Sequence, residues 1–120
     1  MNMKSKMTES AIEHFRGINE KMKVNCAQAI ALAFKEKFSI KDETIQEQKK
    51  NGGGKAPDGN CGALHSALEI LGKQYPDKAE ELKCYFSKTA GSCECSEIKK
   101  IKKLTCVQCV ELTAIYLEEI

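Results

Sequence analysis

The stretch Asn51 to Gly72, NGGGKAPDGNCGALHSALEILG, carries a glycine-rich loop straight into a helix that opens at a cysteine. Asn60 is a strong N-cap residue, because its side-chain oxygen can accept from a first-turn N–H that lacks an intrahelical partner. The helix is therefore expected to start at Cys61 and to end at Gly72, with Pro76 blocking its resumption. At about 3.6 residues per turn, Ala63, Leu64, Ala67, Leu68, Ile70 and Leu71 share one apolar face. His65, Ser66 and Glu69 lie opposite, and Cys61 falls on the border. A thiol in that first turn sits beside unpaired N–H groups and the positive end of the helix dipole, both of which favour its thiolate. Gly52, Gly53 and Gly54 suit positive φ or a close approach, but no GKS or GKT follows, so they do not form a phosphate loop. A flexible connector is the plain alternative.

Working outward, the pattern repeats upstream. Asn25-Cys26 matches the Asn60-Cys61 opening, and Cys26, Ile30, Phe34 and Phe38 make one stripe, with Ala27, Ala29, Ala31 and Ala33 keeping that helix thin. Two helices that open alike and pack through small residues bring their first turns together, which makes Cys26 and Cys61 a candidate pair. Ser10 with Glu13 is a capping-box pair ahead of Ala11, Phe15, Ile18 and Met22, predicting a helix from Ser10 to about Lys21. Residues 42–50 read as a short surface helix anchored by Ile45.

Downstream, Asp77 caps a helix that ends at Gly91 and turns Ala79, Leu82, Tyr85, Phe86 and Ala90 inward. Cys84 falls in its middle, where no first-turn effect acts, and reads as a core or exposed spectator. Cys93 and Cys95 precede a lysine-rich helical piece whose apolar residues are Ile98, Ile101 and Leu104. Thr105 caps the last helix, so Cys106 takes its first position, in one stripe with Val110, Thr113 and Leu117. No segment alternates with period two over strand length. The expected fold is all-α, a single compact bundle of five to six short helices without a sheet. It forms one cysteine-rich domain over residues 1–120, with residues 1–9 a disordered tail.

Composition narrows the function. The 42% hydrophobic and 30% charged content fits a soluble globular chain. Net charge is +2 and Arg16 is the one arginine among 19 basic residues, so no nucleic-acid partner is expected. No run approaches the ~20 apolar residues of a membrane span, and MNMKSKMTESAIEHF has no apolar signal core, so no membrane insertion and a cytoplasmic location are expected. Seven cysteines, an odd number, do not suit a secreted disulfide scaffold; in a reducing compartment they read as redox thiols or metal ligands. Ordinary buried cysteines are the plain alternative.

Three readings compete. In the first, thiols at helix starts, Cys26, Cys61 and Cys106, work with Cys95 as exchangeable dithiols. Cys61 is then the attacking thiol, with His65 and Glu69 each one turn further on. The C-x-x-C of Cys106 and Cys109 favours such chemistry, although no strand feeds it as in a thioredoxin fold. In the second, Cys93, Cys95, Cys106 and Cys109 hold zinc or an iron–sulfur cluster. In the third, the chain is a helical interaction module whose cysteines do no chemistry. The lysines at 99, 100, 102 and 103 favour thiolates, dock an acidic partner, or form a solvated helix face.

These residues resemble a known family, the redox-active proteins labelled C_GCAxxG_C_C after their cysteine pattern. NCAQAIALAF looks like its first cysteine segment, GGG followed by NCGALHSALEILG like its glycine loop and CGAxxG segment, and the tail like its two remaining cysteines. The similarity runs from about Phe15 to the C-terminus. It implies Cys26 and Cys61 as the first two positions, Cys95 as the third and Cys106 as the fourth, with Cys84, Cys93 and Cys109 as extras. Cys93 or Cys95, and Cys106 or Cys109, stay open by one neighbour, and Ser66 stands where the motif's last glycine is expected. The resemblance implies a small helical redox-active protein and gives a class without a substrate. The thiol reading itself leads to a thiol-disulfide oxidoreductase or electron carrier acting on a redox partner protein or a small thiol, with no certain cofactor and a homodimer left open.

Overall fold

The computed structural model describes residues 6–52 and 55–120; Gly53 and Gly54, and the conformations expected of them, lie outside the described residues. The described chain forms seven α-helices, one more than the upper expectation: α1 (Lys6–Arg16), α2 (Cys26–Ala33), α3 (Asp42–Glu47), α4 (Gly62–Gln74), α5 (Pro76–Ala90), α6 (Cys95–Ile101) and α7 (Cys106–Glu118). Short 3₁₀ turns fill Gln48–Asn51 and Pro57–Gly59. No strand forms among the described residues, and the sole bridge is an isolated antiparallel pair, Asn60 with Glu94.

That bridge moves the start of α4. Asn60 is drawn into the pairing, the Cys61 N–H donates to the Cys93 carbonyl at 2.8 Å, and the N-cap passes to Cys61, one residue later than expected. At its other end α4 continues through Gly72 to Gln74, and Pro76 opens α5 instead of merely stopping α4. Proline suits a first helical position, where its missing N–H has no intrahelical partner to lose. Gly91, at φ 91°, ends α5 as expected.

Helix α1 begins four residues early. Thr8 is buried, and its N–H donates to Glu118 Oε1 at 2.7 Å, so residues 6–9 belong to the fold and not to a tail. The helix stops at Arg16 because Gly17 takes φ 69°, which leaves Ile18 and Met22 exposed. Two caps hold as predicted. Asn25 Oδ1 accepts from the Gln28 N–H at 2.8 Å, while its Nδ2 donates to the carbonyls of Gln48 and Lys49. Thr105 and Gln108 complete a reciprocal capping box on α7.

The core is one cluster in which α4 packs against α2, α5 and α7, and α7 also packs against α1 and α2. Phe34, Leu64, Leu71, Leu82, Phe86, Val110 and Leu117 are fully buried. Each such side chain contributes roughly 1.5–3 kcal/mol relative to exposure. Tyr85, expected inside, is instead exposed and stacks on Tyr116 with ring centroids 6.1 Å apart. Cys84 is exposed as well.

Candidate functional site

Four cysteines stand at four helix starts: Cys26, Cys95 and Cys106 open α2, α6 and α7, and Cys61 caps α4. All four line a single cavity of about 500 Å³, joined by Cys109 one turn into α7. The caps Asn25 and Thr105, Gly62, Phe15, Ile98, Lys99, Lys102 and Leu104 complete its wall. The predicted convergence of the α2 and α4 starts is thus present, and Gly62 makes it possible. A Cβ on Gly62 would stand 2.6 Å from Cys26 Sγ and 2.7 Å from the Asn51 carbonyl oxygen, too close for any other residue without displacement. Gly52 serves the neighbouring contact, since a Cβ there would meet the Asn25 side chain at 2.7 Å.

Cys61 is coupled in its titration to Cys109, where the sequence suggested Cys26 as its partner. Helix α7 is rotated so that Cys109, Val110, Thr113, Ala114 and Leu117 face the core, leaving Cys106 exposed at the cavity wall. Hydrogen bonding with the neighbouring Cys109 thiol, together with burial, raises the pKa of Cys61; the first-turn N–H groups of Leu64 and Ala63 act the other way and are outweighed. The lowering expected for Cys61 is therefore reversed. The same bond lowers the pKa of Cys109, against burial and against negative charge on Cys106, Cys26 and Cys95. The two thiols titrate as a pair, the first proton leaving more easily than the second, and Cys109 is the member whose pKa is lowered.

The remaining candidates lie elsewhere. His65 Nε2 is 2.7 Å from Glu69 Oε1, whose partner oxygen accepts from Gln48 Nε2 at 2.7 Å; His65 is not part of the cavity wall. Cys93 turns toward α5, with its Sγ 3.8 Å from the Lys83 carbonyl, and burial raises its pKa. The four tail cysteines are thus split between two places. Among the described residues no group of three or more His, Cys, Asp or Glu side chains is disposed to hold a metal ion. No described helix is long and apolar enough to cross a membrane. Ser66, in place of the motif's last glycine, is buried in α4, and its hydroxyl makes no hydrogen bond among the described residues.

A family model described as "Putative redox-active protein (C_GCAxxG_C_C)" matches residues 24–120. The chain belongs to this family. No curated protein and no solved structure matches it. The C_GCAxxG_C_C match takes in all seven cysteines and every residue of the cavity wall except Phe15, which α1 contributes from outside the matched range. The sequence reading did not assign a role to Gly62, and it named Lys99 and Lys102 without placing them in a cavity wall. Gly62 was detectable as a glycine directly after the motif cysteine. The placing of Lys99 and Lys102 in the wall depends on how α6 docks, which no local pattern specifies.

Proposed function

We propose that this protein is a cytoplasmic thiol–disulfide redox protein in which Cys109 and Cys61 are the exchanging pair. The observation that carries the reading is that Cys61 and Cys109 line one cavity together with three further cysteines, with their titrations coupled. Cys109, whose pKa the neighbouring Cys61 lowers, attacks as its thiolate one sulfur of an incoming disulfide. The substrate S–S bond breaks, one thiolate leaves, and a mixed disulfide forms on Cys109. Cys61 passes its proton to the departing thiolate and attacks the Cys109 sulfur, which releases the second substrate thiol. Two protein thiols and one disulfide thereby become one protein disulfide and two free thiols, and the reverse sequence reduces the protein. Cys26, Cys95 and Cys106 stand around the pair as exchange partners, with Cys106 the most accessible. An odd number of cysteines is consistent with a compartment that keeps thiols reduced.

Peptide mapping by mass spectrometry after mild oxidation with a small neutral disulfide tests this. A Cys61–Cys109 cross-linked peptide is expected, reversed by dithiothreitol and absent from Cys109→Ser. If no intramolecular disulfide forms, and anaerobically prepared protein carries one metal per chain that is lost in Cys106→Ser or Cys109→Ser, a metal-binding role replaces this one.

A further inference from the structure

The cavity also carries information about what enters it. Cys61 and Cys109 are 7% and 2% exposed and line the cavity, so a disulfide that meets them has to enter it. The cavity's volume of about 500 Å³ lies within the usual range for small-molecule sites. The wall is mainly apolar, through Phe15, Ile98 and Leu104, and contains no aspartate or glutamate. Its two charged members are Lys99 and Lys102, and neither makes an ion pair among the described residues. Lys102 occupies the left-handed C-cap of α6 at φ 60°, a conformation that glycine adopts most easily. Two lysines in the wall of a cavity that also holds the thiol pair favour a ligand whose sulfur is accompanied by negative charge.

We infer that the substrate is a low-molecular-weight disulfide bearing a carboxylate or similar anionic group, held by Lys99 and Lys102 while its sulfur meets Cys109. This rests on the thiol–disulfide reading above. The exchange is the one already written: the Cys109 thiolate forms the mixed disulfide and the anionic thiolate half leaves, its charge met by the same lysines.

The test uses three small disulfides of different charge: dithiodipropionate (anionic), bis(2-hydroxyethyl) disulfide (neutral) and cystamine (cationic). Rates of oxidation of the reduced full-length protein are each normalised to the rate with a free small thiol, which removes intrinsic reactivity. The anionic probe is expected to lead the neutral one by on the order of 5-fold and the cationic one to lag, with the spread shrinking at high salt. In a Lys99→Gln/Lys102→Gln variant the anionic-to-neutral ratio falls toward one, and Lys99→Arg/Lys102→Arg restores it, as a purely structural role for these residues would not. Equal normalised rates, or a preference that survives the glutamine variant, would overturn the substrate class while leaving the redox reading intact. Oxidation detected only with a protein disulfide, entering through exposed Cys106, would overturn it in favour of a protein partner. If no disulfide of any kind oxidises the protein, the redox reading itself falls.

Discussion

At Cys61 and Cys109, one sulfur holds the proton and the other holds the charge. The consequence for pH has a definite sign. Cys109 lies below the ordinary thiol value of 9.0 chiefly because Cys61 donates to it, while burial and the charges of Cys106, Cys26 and Cys95 push the other way. Replacing Cys61 by alanine removes the lowering cause and leaves the raising ones. The alkylation rate of Cys109 against pH, followed by peptide mass spectrometry, should therefore inflect below the ordinary value in the unsubstituted protein and above it in Cys61→Ala. An unchanged inflection would mean that the hydrogen bond does not set the charge. This division of roles was only half legible in sequence. The helix-start rule placed Cys61 at the opening of α4, but it is a local rule, and the direction of its pKa depends on a neighbour 48 positions away (109 minus 61) that outweighs the local N–H groups.

At the scale of the element, the two glycines of α4 have opposite meanings. Gly62 is buried, and an added Cβ would press on Cys26 Sγ and on the backbone carbonyl of Asn51, which cannot swing aside. Gly62→Ala should cost about 1–3 kcal/mol in urea unfolding and should disturb the cavity. Gly72 sits inside the helix with nothing within 4 Å of an added Cβ, so Gly72→Ala should stabilise by about 0.5–1 kcal/mol through helix propensity alone. Equal effects of the two substitutions would show that the close approach at Gly62 is not tight. Gly72 was legible only as a stop signal, since glycine usually follows a helix end; here the apolar face through Leu71 and the Tyr75 cap carry the helix past it. Asn25, Thr105 and Gly91 were read correctly because each acts on its own first or last turn. Asn60 was misread because its partner, Glu94, lies in a distant segment.

For the molecule as a whole, periodicity was enough to give an all-helical chain, because each amphipathic stripe reports its own helix. It was not enough to set the rotation of α7 against α4, which decides whether Cys106 or Cys109 meets Cys61. That rotation has a thermodynamic consequence for the proposed redox cycle. A Cys61–Cys109 disulfide would close a loop containing α4, α5 and α6 and tie it to α7, a helix that packs against α1, α2, α4 and α5. In the chain-entropy picture a loop of that size removes about 4 kcal/mol of freedom from the unfolded chain. Cys61 and Cys109 line the same cavity in the reduced form, the proximity that such a bond needs. The oxidised protein should therefore melt on the order of 10 °C above the reduced one. The difference should vanish in Cys109→Ser and persist in Cys84→Ser, whose exposed thiol takes no part. A disulfide pairing Cys61 with Cys26 would close a shorter loop and give a smaller rise that survives Cys109→Ser, so calorimetry of the two variants identifies which pair the fold has prepared.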